Sequence, residues 1–341
     1  MKLTAELGER SYDIIIKNGA LGRAGQVCNL RRKVLIVSDT GVPEKLAKIL
    51  QQQCGEGHLL VVEQGENSKS TAVWQTILSR LHTLGFGRRD AVAAVGGGVV
   101  GDLAGFAAAA YMRGIGFIQC PTTTLAQVDS SIGGKVALNL DGTKNLIGAF
   151  YQPEAVIVDP ATLATLPRRH WANGLAEALK MSLTGNADLF HLMETDDIDA
   201  NLEQILYLSL LYKKEIVQRD ETEQGERKLL NFGHTIGHGI EAACGLENRE
   251  DGLLHGEAIA LGMLPMITSS ALRRRTLAVM EKLGLPLSFG YDADAVLQHM
   301  QSDKKREGAT YTIARVKQAG KGYLEQVTFN ELSRLAKENT A

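Results

Sequence analysis

Three short stretches carry residue types suited to a catalytic metal. Asn231-Phe232-Gly233-His234-Thr235-Ile236-Gly237-His238 supplies two histidines, Leu254-His255-Gly256-Glu257 a third, and Gly174-Leu175-Ala176-Glu177-Ala178-Leu179-Lys180 a carboxylate. On a helix, the spacing i, i+3, i+7 sets Asn231, His234 and His238 on one face. Glu177, His234 and His255, drawn from three helices, make a ligand set for a divalent cation that keeps one position open. Zn2+ fits a Glu/His2 set, and Co2+ suits the same donors. His238 reads equally as a ligand, a substrate donor or a core histidine. Such a centre suits chemistry on an oxygen-rich substrate.

Cations gather at the ends of the expected elements: Arg113, Lys135, Lys144, Lys180, Lys213, Arg227, Lys304 and Lys305. Taken singly, a Lys or Arg is usually solvated surface. Here Lys135 follows two glycines, Lys180 lies i+3 from Glu177 on the same helix face, and Arg227 precedes Asn231 by one turn. Several cations beside a metal suit a substrate with both carboxylate and phosphate.

Gly96-Gly97-Gly98-Val99-Val100-Gly101 fits G-x-G-x-x-G between an apolar strand and a small-residue helix. Such glycines let backbone N–H groups approach a pyrophosphate at a helix N-terminus. Alone the signal is weak. The acid expected further along, at a second strand end, is missing, since that region reads Gln119-Cys120-Pro121. Asp102 would repel a phosphate unless it holds something else. A glycine-rich turn that packs a small-residue helix closely on a sheet accounts for the motif as well. Ser130-Ser131-Ile132-Gly133-Gly134-Lys135 imitates the end of a P-loop, but Asp129 and Val136 stand where Gly and Ser or Thr are required.

The elements that must position these groups change texture along the chain. Tyr12–Ile16, Val34–Val37, Leu59–Val62, Ala91–Val95, Phe117–Gln119 and Ala155–Val158 read as short apolar strands. Helices are expected near Pro43–Gln53, over Thr71–Leu84, and from the glycine block to Met112. This alternation predicts a mostly parallel sheet covered on both faces, a Rossmann-like α/β domain over 1–167. From Arg168 to about Leu283 the apolar period is helical, which predicts an all-α or mostly α-helical domain over 168–341. A late hairpin is possible at Tyr311–Val316 and Tyr323–Val327.

The 341 residues suffice for two domains, and the composition, 44% hydrophobic and 22% charged, is that of a globular protein. A net charge of −2 supplies no basic field for nucleic acid or a membrane surface. Cys28, Cys54, Cys120 and Cys244 form no CxxC pair and read as reduced thiols of a cytoplasmic protein. The N-terminus lacks a signal-peptide core, and the weakly polar run from Ala91 to Met112 is too broken to span a bilayer.

Taken together, these segments resemble the 3-dehydroquinate synthase family of sugar-phosphate cyclases. The resemblance is carried in order by Gly65–Lys69, Gly96–Phe106, Pro121–Ser131, Gly133–Lys135, Lys144–Phe150, Gly174–Lys180, Arg227–His238, His255–Glu257 and Asp303–Lys305. Val136-Ala137, Ile236 and His170 depart from the usual Thr-Gly, Phe and Gln. The resemblance implies NAD- and metal-dependent conversion of 3-deoxy-D-arabino-heptulosonate 7-phosphate to 3-dehydroquinate and phosphate. The steps implied are oxidation, phosphate elimination, re-reduction, ring opening and aldol closure. It implies metal ligation by Glu177, His234 and His255. Lys135, Asn145, His238 and Lys304 or Lys305 would surround the phosphate, with Arg113 reaching in from the second subunit of a homodimer. Lys213, Arg227 and Asn231 would hold the carboxylate end, and Asp129, Lys180 and Glu223 would make further polar contacts. Asp39, Glu66, Lys69, Gly97, Gly98, Asp102, Thr122, Thr123, Asp129, Lys135, Lys144, Thr162, Thr165 and Leu166 would serve NAD.

Three alternatives differ in class. Cyclases of the 2-deoxy-scyllo-inosose or sedoheptulose 7-phosphate type act on substrates without the carboxylate, so the intact Lys213, Arg227, Asn231 and Lys304-Lys305 favour dehydroquinate formation. A metal-dependent polyol dehydrogenase would have no use for phosphate-directed lysines. A non-catalytic binding module would not need three metal ligands beside a nucleotide loop.

Overall fold

The structure is a computed structural model that describes all residues except 246–250, 303–305, 308–309 and 339–341. The chain divides into two compact units, Met1–Leu166 and Pro167–Ala341.

The first unit is built on a seven-stranded sheet. Its strands are β1 (Lys2–Ala5), β2 (Tyr12–Ile16), β3 (Lys33–Asp39), β4 (Glu56–Val62), β5 (Ala91–Gly96) and β6 (Gly116–Pro121). After a hairpin of β7 (Lys135–Leu140) and β8 (Thr143–Phe150), β9 (Ala155–Val158) completes it. The order is β1-β2-β9-β6-β5-β3-β4, parallel throughout except for β1. All six residues of β5 are buried, as an apolar strand covered on both faces must be. One face packs on helices α2 (Thr71–Thr83) and α3 (Gly98–Ala110), through Val92, Ala94, Leu103, Ala107 and Phe117. The other packs on α1 (Glu44–Gln51) and residues 21–26, through Ala91, Ala93, Val95, Leu46 and Leu50. Two of the glycines in α3 are packing residues. A Cβ at Gly101 would come within 3.0 Å of the Gln119 side chain, and one at Gly105 within 2.4 Å of Val136. The small-residue helix therefore does sit close on the sheet, and Val136, a departure from the family pattern, fills the space over Gly105.

The second unit is helical: α4 (Arg168–Gly185), α5 (Ala187–Thr195), α6 (Leu202–Arg219), α7 (His234–Cys244), α8 (His255–Met263), α9 (Ser270–Leu283), α10 (Ala293–Ser302) and α11 (Phe329–Lys337). A three-stranded antiparallel sheet of β10 (Arg306–Glu307), β11 (Thr310–Gln318) and β12 (Lys321–Thr328) interrupts the helices. The expected late hairpin is β11–β12, longer at both ends. Every residue of α4 from Trp171 to Thr184 is buried, so its polar side chains must find partners. Asn173 accepts from the Gly256 amide (2.6 Å), and Ser182 and Thr184 donate to carbonyls one turn back. Glu177 and Lys180 face each other as an ion pair.

The 227–238 stretch departs from the helical expectation. Residues 226–231 form a 3-10 segment, Phe232 is extended, and Gly233 is left-handed (φ 79°) before α7 begins at His234. His234 and His238 share the helix, but Arg227 and Asn231 do not continue its face. The cause is packing. A Cβ at Gly233 would meet Met263 at 2.5 Å and the Ile259 carbonyl at 2.9 Å, so the turn that opens α7 sits directly on α8.

Candidate active site

Helix contacts through glycine set the candidate metal-ligand side chains. A Cβ at Gly256 would meet the Asn173 carbonyl at 2.0 Å, so only glycine lets the start of α8 touch α4 and brings His255 to Glu177. The Nε2 atoms of His255 and His234 lie 3.4 and 3.7 Å from Oε1 of Glu177. His238 joins them, since one ligand atom from each of the three histidines lies within 4.8 Å of the others.

The second nitrogen of each of two rings is occupied. Nδ1 of His234 donates to the Phe232 carbonyl (3.1 Å), and Nδ1 of His255 donates to Glu241 (2.9 Å). Both bonds leave Nε2 as the atom that could ligate a metal and fix the ring planes, the usual arrangement behind a metal-binding histidine. Burial alone would raise the Glu177 carboxyl, but Lys180 and His255 hold it down to about 2. Burial likewise lowers His255, yet Glu177 and Glu241 push it up to about 10. Two carboxylates thus demand positive charge at this point. Glu177 is fully buried, and Oε1 has no hydrogen-bond partner among the described residues. That buried carboxylate oxygen, faced by two preset imidazole nitrogens, is what a divalent cation would satisfy.

The same unit holds further cations. Lys180 is 1% exposed, Lys213 on α6 is 6% and Arg227 is 3%. The Arg227 guanidinium donates to the Glu221 carbonyl, and its backbone N–H bonds to Asp220 Oδ2 (3.0 Å). Asn231 donates to Glu223 Oε1 (2.5 Å), and Glu223 is itself in a left-handed conformation (φ 63°). Lys304 and Lys305 lie outside the described residues.

In the first unit, Gly97 caps α3 and Gly98 begins it, with no acidic residue in the first turn. Asp102 lies one turn further in, and it does hold something else. It pairs with Lys69 Nζ at 2.6 Å. Upstream of the glycines, Asp39 ends β3, the strand beside β5. Burial raises its carboxyl, against hydrogen bonds from the Gly41 and Val42 amides. It lines a cleft of about 390 Å³ with Ser38, Thr40, Val42 and Ala47. Thr122 and Thr123 follow β6, and Thr162 Oγ1 accepts from the buried Gln127 amide (3.0 Å). Thr165 and Leu166 close the following 3-10 turn. Asp129 sits in a π-helical turn, Ala126–Ser130, a form often found at functional sites. Lys135 opens β7, and Lys144 and Asn145 are on β8, all three exposed. Arg113 is exposed after two consecutive positive-φ residues, Met112 (50°) and itself (68°).

Residues 59–173 match the family described as 3-dehydroquinate synthase N-terminal, and residues 174–306 the family described as 3-dehydroquinate synthase C-terminal. The chain belongs to the 3-dehydroquinate synthase family. The 3-dehydroquinate synthase of Caulobacter vibrioides is 43% identical over 91% of each chain. Two solved cyclases share the fold. A 2-deoxy-scyllo-inosose synthase complexed with carbaglucose-6-phosphate, NAD+ and Co2+ has a TM-score of 0.87 and 26% identity, over 99% of this chain and all of the other. The 2-epi-5-epi-valiolone synthase of Streptomyces hygroscopicus, with NAD+ and Zn2+ bound, has a TM-score of 0.85 and 29% identity, over 98% and 99%.

Within this chain, sequence reading passed over Glu241 and Asn139. Glu241 lies seven residues after His234, on α7, and only the position of α8 reveals that it meets His255. Glu241→Ala should weaken metal affinity about 10- to 100-fold while leaving the ligands in place, the usual cost of losing such a support. Metal competition against a chelator checks this, and unchanged affinity would mean that the ring needs no orienting.

Proposed function

We propose that the chain is a 3-dehydroquinate synthase, converting 3-deoxy-D-arabino-heptulosonate 7-phosphate to 3-dehydroquinate and phosphate with NAD and a divalent metal, Zn2+ or Co2+. The observation that carries this reading is the pair of buried cations, Lys213 and Arg227, on elements packed against the α4 helix of Glu177. Cations held at these positions complement a substrate that carries a carboxylate.

Glu177, His234 and His255 would hold the metal, and the cleft by Asp39 with the Gly97-Gly98 helix start would hold NAD. When bound, NAD supplies a temporary hydride acceptor and the metal a Lewis acid at the substrate hydroxyls. Lys180, on the carboxylate of Glu177, keeps that ligand ionised and oriented. Lys213, Arg227 and Asn231 bind the carboxylate end, Arg227 through a planar fork. Lys135, Asn145 and His238 bind the phosphate, with Lys304 or Lys305. Asp129 and Glu223 make further polar contacts, and Glu66, Lys69, Asp102, Thr122, Thr123, Lys144, Thr162, Thr165 and Leu166 serve the nucleotide.

Because NAD is regenerated in each cycle, phosphate release should exceed NADH accumulation by a large factor at substoichiometric NAD. NADH formed one-to-one with product would instead identify a dehydrogenase. Glucose 6-phosphate and sedoheptulose 7-phosphate, which lack the carboxylate, should not be turned over.

The proposal extends to a cytoplasmic homodimer in which Arg113 serves the partner's site. Among the described residues no disulfide joins the four cysteines, and no helix is long and apolar enough to cross a membrane. The strained backbone at Met112 and Arg113 supports an outward-reaching role for Arg113. Mixing inactive Arg113→Ala and Lys213→Ala subunits should restore activity through one intact site per mixed dimer. No recovery after verified subunit exchange would put Arg113 in its own subunit's site or in none.

A further inference from the structure

The β7–β8 ladder breaks between Leu138 and Leu140. Leu138 pairs with Ile147 and Leu140 with Thr143, which leaves Asn139 on one strand and residues 144–146 on the other without ladder partners. The break is put to use. Asn139 Oδ1 accepts the backbone N–H of Asn145 (2.9 Å), Asn139 Nδ2 donates to Glu66 Oε1 (2.8 Å), and the Asn139 N–H donates to the Lys69 carbonyl (2.9 Å). Lys69 Nζ in turn donates to Asn145 Oδ1 and to Asp102 Oδ2, and lies 3.7 Å from Glu66. Asn139, Asn145, Lys69 and Glu66 thereby close a polar ring with Asp102 attached. Asn145 has φ at 54°, in the left-handed region that asparagine adopts more readily than other non-glycine residues, and the Asn139 bond holds its amide there.

We infer that Asn139 is a positioning residue that sets the nucleotide-side groups and the phosphate-side group from one amide. Its carbonyl oxygen fixes Asn145, and its NH2 fixes Glu66 beside Lys69. It touches neither ligand. This rests on the functional reading above, in which Glu66 and Lys69 serve NAD and Asn145 serves the sugar phosphate. Asparagine is the side chain that fits, because the site needs one acceptor and one donor on a short stem.

The test uses the metal-loaded full chain and two readouts: NAD dissociation, from quenching of protein fluorescence, and the KM for the heptulosonate phosphate, from phosphate release. Asn139→Ala should raise both about 3- to 30-fold, the range for losing hydrogen bonds of this kind. Asn139→Asp keeps the acceptor for the Asn145 amide but sets a carboxylate against Glu66. It should weaken NAD binding by a similar factor and move the sugar-phosphate KM less than about twofold. Adding Asn139→Ala to Asn145→Ala should raise that KM no further. The inference is overturned if Asn139→Ala leaves both constants unchanged, or if its KM effect adds in full to that of Asn145→Ala. Should Asn139→Ala not fold, Asn139→Asp decides by its split, and an equal change in both constants, or in neither, overturns the inference. If the wild type releases no phosphate, the functional reading fails, while the NAD measurement on both variants still decides the role of Asn139.

Discussion

The His255→Ala protein should fold, lose its bound metal and lose nearly all turnover. His255 is only half-buried at the N-terminus of α8, so truncation removes little packing. What it removes is one of two imidazole nitrogens facing Glu177 and the partner of Glu241. A Lewis acid contributes several kcal/mol to a charge-developing transition state. At about 1.4 kcal/mol per decade, the loss should reach about a thousand-fold or more. His234→Ala should behave alike, with a larger fall in stability because His234 is buried against the Phe232 carbonyl. Glu177 remains paired with Lys180 in both variants, which protects the fold from a bare buried carboxylate. Metal analysis of the purified variants, beside their near-UV circular dichroism and phosphate release, checks the expectation. An His255→Ala protein with stoichiometric metal and ordinary turnover would overturn the ligand assignment.

The elements that were legible in sequence were those whose pattern is local. The apolar strands β3, β5 and β9 and the helix after the glycine block stand within a few residues of their expected places, because a strand buried on both faces reads as a near-continuous apolar run. The β7–β8 hairpin was less visible. Its outer strand is exposed along nearly its whole length and lacks a buried face to set an alternation. Its one local signal is Asp141-Gly142, both residues at positive φ, the turn pair that favours a two-residue hairpin. The site divides the same way. Glu177 and Lys180 share a helix face, so their spacing foretold their contact. The contacts of Glu241 with His255 and of Lys69 with Asp102 join different elements and follow from packing alone. Periodicity misled at Asn231, where a 3.6-residue repeat was read across a stretch broken by Gly233. Tertiary contact with α8, rather than helix propensity, decides that backbone.

Arg227→Ala should lower kcat/KM for the heptulosonate phosphate by a few tens- to thousands-fold. The residue is reached through a turn centred on Asp220, whose Oδ2 accepts the Gly225 and Arg227 amides (2.8 and 3.0 Å) and whose Oδ1 accepts that of Gln224 (2.9 Å). Burial favours the neutral acid at Asp220, but these three amides and the nearby Arg227 charge keep its carboxyl below the ordinary value. The turn therefore holds Arg227 in place before substrate arrives, and the residue is already buried, 3% exposed. A cation so placed gains most from a planar anion bound at two points. Losing one member of such a pair in a dry site costs about 2–5 kcal/mol, which at about 1.4 kcal/mol per decade gives the stated range. Because Arg227 precedes the Phe232-Gly233 break, its removal should leave the His234 ring, and with it metal affinity, unchanged. Arg227→Lys should recover only part of the loss, since an ammonium cannot match the fork. Steady-state kinetics with metal and NAD titrations separates these effects. If Arg227→Ala abolished NAD binding and left the sugar-phosphate kinetics intact, the buried cations would belong to the nucleotide, and the carboxylate would have to be placed elsewhere.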